Sequence, residues 1–193
     1  MIDPVSDAAY WEERYREGTT RWDLGGPTPV LSAILDGPWA PAPGAVVAFP
    51  GSGGGHDVRH WRDNGYDAVG FDFAIQPEGI PVEALDVFEL GDRYPARFDA
   101  VVEYTCYCAI DPARRTEYAS ALARSIRPGG LLIALLFPVG DKESGPPFAV
   151  RESEIEGVIG LGLELIHLET PVLSVGGREG RERLAVFRKP NLD

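Results

Sequence analysis

Apolar residues change their period along this chain. Near the start they recur at helical spacing; from residue 45 onward they gather into short solid runs. Ser6 and Asp7 can cap a helix that reaches about Glu17 and stops at Gly18. Trp11 and Tyr15, four positions apart, share one face of it. "TTRWDLGGPTP" (19–29) is rich in breakers and reads as a loop, with a short helix predicted over 29–35. "DGPWAPAPG" (36–44) is a Pro-rich connector rather than a domain linker, because too little chain precedes it to fold alone.

The solid runs predict strands: "AVVAF" (45–49), "DAVGFDF" (67–73), a brief one within "IPVEALDV" (80–87), "FDAVVEYTC" (98–106) and "LLIALLFP" (131–138). Helices are expected between them over 56–64 and from Asp111-Pro112 to about Ile126, where "RPGG" (127–130) stops the second. "RESEIEGVIGLG" (151–162) reads as a glycine-weakened helix. "LELIHLET" (163–170) and "ERLAVFRK" (182–189) read as two last strands, an antiparallel pair at the sheet edge. Helices alternating with strands this apolar predict an α/β fold, a mostly parallel sheet covered on both faces.

Composition narrows the class. The 193 residues suffice for one domain with a real core. The formal charge of −12 argues against broad binding to nucleic acid or to an anionic membrane. No apolar run approaches the roughly 20 residues that span a bilayer. The acidic N-terminal stretch does not read as a secretion signal, so a cytoplasmic location is the default expectation. Cys106 and Cys108, the two cysteines, make no disulfide framework and read as buried packing residues on an extended segment. His56 and His60 stand four apart on a predicted helix. Surface placement near the loop is preferred over a metal pair, and no metal is expected.

The chemistry gathers around "PGSGGGHDV" (50–58), which follows the first strand, where α/β sheets bind ligands. A P-loop needs a lysine after its last glycine, and none follows. The dinucleotide pattern G-x-G-x-x-G fits Gly51 and Gly53 and fails at His56. What remains is G-x-G-x-G, either an idle turn or a close approach to another ligand. Asp72, at the end of the second strand, can accept from both hydroxyls of a ribose. Asp86 and the backbone of Val87 suit an adenine edge.

Together "YWEERYREGTTRWDLGGPTPVL", "FPGSGGGHDV", "VGFDF", "EALDVFEL", "FDAVVEYTCYCAIDP" and "SGPPFAV" resemble the thiopurine S-methyltransferase superfamily, and most closely its thiol/halide methyltransferase branch. The resemblance runs from about Tyr10 to Val150, more weakly to the end. It implies a Rossmann-like class I methyltransferase with a seven-stranded sheet and an antiparallel edge strand. It implies one domain over 1–193, with an N-terminal helical lid (1–40) and a core (45–193). It implies S-adenosylmethionine (SAM) as cofactor, with Gly51, Gly53 and Gly55 along its methionine part, Asp72 on the ribose, and Asp86 and Val87 on adenine. Trp11, Tyr15 and Trp22 would close over cofactor and acceptor. Glu103 and Tyr104 would end the fourth strand beside the reacting methyl, with Thr105 and Tyr107 near the acceptor. In the family's pattern Trp is frequent where this chain has Tyr15. The thirteen residues between Asp72 and Asp86 are fewer than usual there. The helix after the second strand is therefore expected to be shortened or lost, further discouraged by Pro77 and Pro81.

The implied reaction is transfer of an activated sulfonium methyl to a small thiol, sulfide, halide or similar soft nucleophile. Such a displacement relies on orientation, which can supply about 7–11 kcal/mol, rather than on a catalytic triad. Aromatic faces at Trp11, Trp22, Tyr104 and Tyr107 could attract the cation. The alternatives are a non-catalytic nucleoside-binding module of the same fold and, disfavoured by His56, a nicotinamide-dependent oxidoreductase. Arg14 and Arg21 read as surface salt-bridge partners rather than as attractors of an anionic acceptor.

Overall fold

The structure, a computed structural model, describes residues 4–191, so the outermost ends of the expected 1–193 domain lie outside the described residues. The first helix, α1 (Ala8–Glu17), has the predicted boundaries. The Asp7 side chain accepts from the Ala9 N–H, and Gly18 closes the helix in the left-handed conformation at φ 66°. The short α2 (Pro29–Ile34) follows, with Pro in its first turn. Then come β1 (Val46–Pro50), α3 (His56–Asp63), β2 (Asp67–Phe71), the two-residue β3 (Val82–Glu83), the one-turn α4 (Leu90–Arg93) and β4 (Phe98–Tyr104). The chain continues through α5 (Arg115–Ser125), β5 (Ile126–Leu136), β6 (Glu164–Glu169) and β7 (Arg183–Arg188).

These strands form one seven-stranded sheet in the order β3-β2-β1-β4-β5-β7-β6. Neighbours from β3 to β5 pair in parallel, while β7 runs antiparallel to both β5 and β6. The last two strands thus pair antiparallel at one edge, and β7 is inserted one place in from the rim. Alternation along each strand divides the core between the two faces. Leu132, Ala134 and Leu136 face Tyr118 and Leu122 of α5. Ile133 and Leu135 face the layer of Leu31 and Ile34 from α2 and Val58 and Trp61 from α3. The order reverses between β1 and β4, so the crevice beyond their carboxyl ends is the topological switch point.

Four local expectations change. The strand predicted over 98–106 ends at Tyr104, because Thr105 takes a left-handed φ of 59° and turns the chain. The "RPGG" segment does not delay the next strand. Ile126 already pairs with Phe98, and an irregularity in the ladder absorbs the glycines. The helix expected from Asp111 begins as a 3-10 turn over Pro112–Arg114 before α5. The helix expected over 151–162 is one α-turn, Glu152–Glu154, that widens into a π-helical turn, Ile155–Ile159. As expected, the connection between β2 and β3 contains no helix. Among the described residues no helix is long and apolar enough to cross a membrane.

Candidate active site

A cavity of about 870 Å³ opens at the switch point. Its floor comes from Gly51 and from the turn after β4, through Thr105, Cys106 and Cys108. On the β2/β3 side stand Asp72, Phe73, Asp86 and Val87. The opposite wall is Phe137, Pro146 and Pro147 with the β6–β7 loop, and the N-terminal segment covers the space between.

The glycine loop is built for close approach. Gly51 lies at φ 61°, and a Cβ there would stand 2.7 Å from Cys106 Sγ. Gly53, at φ 52°, faces the Tyr15 hydroxyl, 2.8 Å from where its Cβ would be. Neither position has room for a side chain. Gly55 is different: it caps α3 and faces Ile80, away from the cavity.

Asp72 lines the cavity while holding the loop. Its Oδ2 accepts from the Gly53 N–H at 3.0 Å, and its Oδ1 accepts from the Ala74 and Ile75 N–H groups at 2.9 and 3.2 Å. A carboxylate has about four acceptor sites, so capacity for a ligand hydroxyl remains. Burial raises its pKa above the ordinary value, against the pull of those three donors. Asp86 caps the turn after β3, where its Oδ1 accepts from the Phe88 N–H at 3.1 Å.

Above the floor the N-terminal segment contributes an aromatic cluster. Trp11 meets Trp22 edge-to-face at 5.4 Å between centroids, and Tyr15 meets Trp22 at 5.7 Å. The Trp11 indole donates to the Val5 carbonyl at 2.9 Å, which fixes its ring. All three rings line the cavity.

Besides Gly55, three expected site residues stand elsewhere. Glu103 is fully buried beneath the turn, its Oε1 accepting from the Tyr107 N–H at 2.5 Å. Tyr107 is buried in the core beside Tyr118, under the Arg115 guanidinium. The turn at Thr105 ends the alternation that would have carried Tyr107 to the acceptor. Tyr104 borders a smaller 70 Å³ cavity behind the glycine loop, where its hydroxyl accepts from Arg178 and donates to Glu182 at 3.4 Å.

Both cysteines line the cavity, and burial pushes their thiols well above the ordinary value. They are neutral at physiological pH and poor nucleophiles. His56 Nε2 lies 3.2 Å from Asp23 Oδ1, tying α3 to the N-terminal segment. Among the described residues no three His, Cys, Asp or Glu side chains converge as a metal site.

Sequence reasoning missed Arg178. It is 7 % exposed, lines the cavity, and donates to the Tyr104 hydroxyl and to the Trp22 carbonyl at 3.2 Å. A topological signal for it existed. Because β6 parallels β5, the loop after β6 emerges on the ligand face of the sheet.

The fold is that of class I SAM-dependent methyltransferases. One similar solved structure is the 1,6-didemethyltoxoflavin-N1-methyltransferase of Burkholderia thailandensis with bound 1,6-didemethyltoxoflavin and S-adenosylhomocysteine. Its TM-score is 0.75 at 21% identity, over 95% of this chain and 87% of that one. A TehB-like SAM-dependent methyltransferase from Corynebacterium glutamicum gives 0.63 at 18%, over 94% and 97%. The chain itself belongs to the thiopurine S-methyltransferase (TPMT) family, whose model matches residues 6–77 and 75–188. It is similar to a probable thiol methyltransferase 2 of Arabidopsis thaliana, at 34% identity over 93% of this chain and 84% of that protein. Thiocyanate methyltransferase 1 of Brassica oleracea is 32% identical, over 94% and 85%. The chain is thus a SAM-dependent methyltransferase that acts on a small molecule.

Proposed function

We propose that this cavity methylates a soft sulfur nucleophile, a thiolate or hydrosulfide, with thiocyanate and halides as weaker candidates. The observation that carries this reading is the placement of two carboxylates and an aromatic cluster on opposite sides of one switch-point cavity. The printed names of the plant relatives, a thiol and a thiocyanate methyltransferase, support the choice of acceptor.

The residues present fit the cofactor. The cradle at Gly51 and Gly53 excludes any side chain, and Asp72 keeps an acceptor site for a ribose hydroxyl. Asp86 and the Val87 backbone suit the adenine edge, and the rings of Trp11, Tyr15 and Trp22 suit a cation. SAM, when bound, supplies a methyl group already activated on a sulfonium.

The remaining work is orientation and exclusion of water, which the N-terminal segment ahead of α2 supplies as a lid, with Trp11, Tyr15 and Trp22 over the cavity. No protein base is required, because a thiolate arrives deprotonated. Thr105, at the end of β4, faces the acceptor in this reading, and Tyr104 acts through Arg178 instead of touching the acceptor. The strongly acidic chain supports an enzyme that does not bind nucleic acid, and its two free cysteines fit a cytoplasmic one.

Calorimetric titration with SAM tests the assignment. Trp11→Ala, Asp72→Asn and Asp86→Ala should each weaken binding by about tenfold or more, the scale of one charged hydrogen bond or a lost aromatic face. Unchanged affinity in all three folded variants would sink it.

A further inference from the structure

Eight arginines pair with carboxylates elsewhere on the molecule. The four that line the cavity, Arg14, Arg21, Arg178 and Arg181, do not pair with any carboxylate among the described residues. The other arginines without a carboxylate partner among the described residues, Arg59, Arg93, Arg97 and Arg188, are exposed and lie outside the cavity, whereas these four share it. Their distribution is polar. Arg178 and Arg181 belong to the β6–β7 loop on the β5/β7 side, whereas Asp72 and Asp86 stand across β1 and β4 on the other. Arg14, from α1, lies over the Tyr10 ring at 3.3 Å, and Arg21 is exposed on the covering segment.

Arg178 is the anchor of this group. It is nearly buried and sits 4.9 Å from the Phe137 ring centroid, and Arg181 sits 5.3 Å from the same ring. Its bonds to Tyr104 and Trp22 use two of its five N–H donors, leaving three without a protein partner. Glu182 does not pair with Arg178 directly: it accepts from the Tyr104 hydroxyl that Arg178 donates to, and from Ser174 at 2.5 Å. A buried guanidinium held in place with free donors toward a cavity is a ready partner for a carboxylate fork.

Size points the same way. A cavity of about 870 Å³ lies near the top of the range of about 300–1,000 Å³ that encloses one drug-sized ligand. It has room for the cofactor and an organic molecule besides. Hydrosulfide or thiocyanate brings no carboxylate of its own, and the single carboxylate of SAM cannot fork with guanidinium groups from both the β6–β7 loop and the N-terminal segment.

Resting on the methyl-transfer reading above, we infer that the acceptor is an organic thiolate carrying a separate carboxylate, and that Arg178 and Arg181 recognise that carboxylate. The thiolate lone pair forms the new sulfur–carbon bond as the methyl bond to the sulfonium sulfur breaks. The electron pair of the broken bond leaves a neutral thioether, and no proton moves.

The test compares 4-mercaptobenzoate with thiophenol as acceptors for the intact protein. The carboxylated thiol should have the higher kcat/KM by about tenfold or more, as a charge-assisted hydrogen bond implies. The advantage should shrink as salt rises. Arg178→Gln and Arg181→Gln should each bring the ratio toward about 1, which is what removal of one member of the clamp implies. Far-UV circular dichroism reports whether each variant is folded, and loss of SAM affinity in a folded variant, read by calorimetry, would show that the guanidinium holds the cofactor's own carboxylate and would overturn the inference. A wild-type ratio near 1, or a ratio unchanged in both variants, overturns the inference and leaves the methyl-transfer reading standing. Failure to methylate either thiol, or hydrosulfide, overturns that reading and this one with it.

Discussion

Glu103 shows how a single buried group can set a pH dependence. It is fully buried, one oxygen accepts from Tyr107, and the other has no hydrogen-bond partner. Burial pushes its pKa up from 4.5 to about 7, opposed by the Tyr107 and Cys106 N–H groups and by Arg115. Cys106, Tyr107 and Cys108 on the turn and Tyr118 on α5 also surround it. The folded state therefore holds this proton between pH 4.5 and about 7, where the unfolded chain has released it. Stability falls as pH rises through that window and stays lowered above it. Glu103→Gln should gain on the wild type between pH 4 and pH 8 by on the order of 3 kcal/mol, read by urea unfolding. A difference independent of pH would contradict this. Thr105 is strained in a different way. A β-branched residue at φ 59° costs about 1–3 kcal/mol. Thr105→Gly should raise Tm and lower kcat, since the turn it forms floors the cavity; a lower Tm would argue that the turn is relaxed. At this scale the sequence was legible where chemistry depends on position along a strand. Asp72 and Asp86 follow strands and both line the cavity. Tyr107 and Glu103 were misplaced because a left-handed threonine leaves no trace in an apolar pattern.

Elements are held around the site by a few polar clamps. Asp57, in the first turn of α3, accepts from the Thr28 N–H and from its hydroxyl, both at 2.8 Å. This joins the entry of α2 to the helix that follows the glycine loop. Thr28 is buried, so Asp57→Ala would leave its donors without an acceptor, at a cost of about 1–3 kcal/mol. The Tm should drop accordingly, and an unchanged Tm would show that water replaces the clamp. Several boundaries were readable from local chemistry: Asp7 and Gly18 around α1, Pro29 at the start of α2, and the prolines that exclude a helix between β2 and β3. The π-helical turn at Ile155–Ile159 was not, because its hydrogen-bond pattern has no side-chain code in the sequence. Arg178 escaped notice for a related reason: its importance depends on β6 running parallel to β5, a property of the whole sheet.

At the scale of the molecule, the sheet brings together segments distant in sequence. Trp22 and Arg178, 156 positions apart, meet directly above the switch point. The resulting cavity has carboxylates at one end, guanidinium groups at the other and aromatic rings over the middle. That polarity suits a cationic methyl donor beside an anionic acceptor, and the net charge of −12 says nothing of it. The most direct test is a single-turnover reaction of the purified protein with methyl-labelled SAM and hydrosulfide or a small thiol. The account predicts label in the volatile methylated sulfur product, with S-adenosylhomocysteine formed in equal amount. SAM bound at the site with no labelled product from hydrosulfide or from any thiol would contradict it.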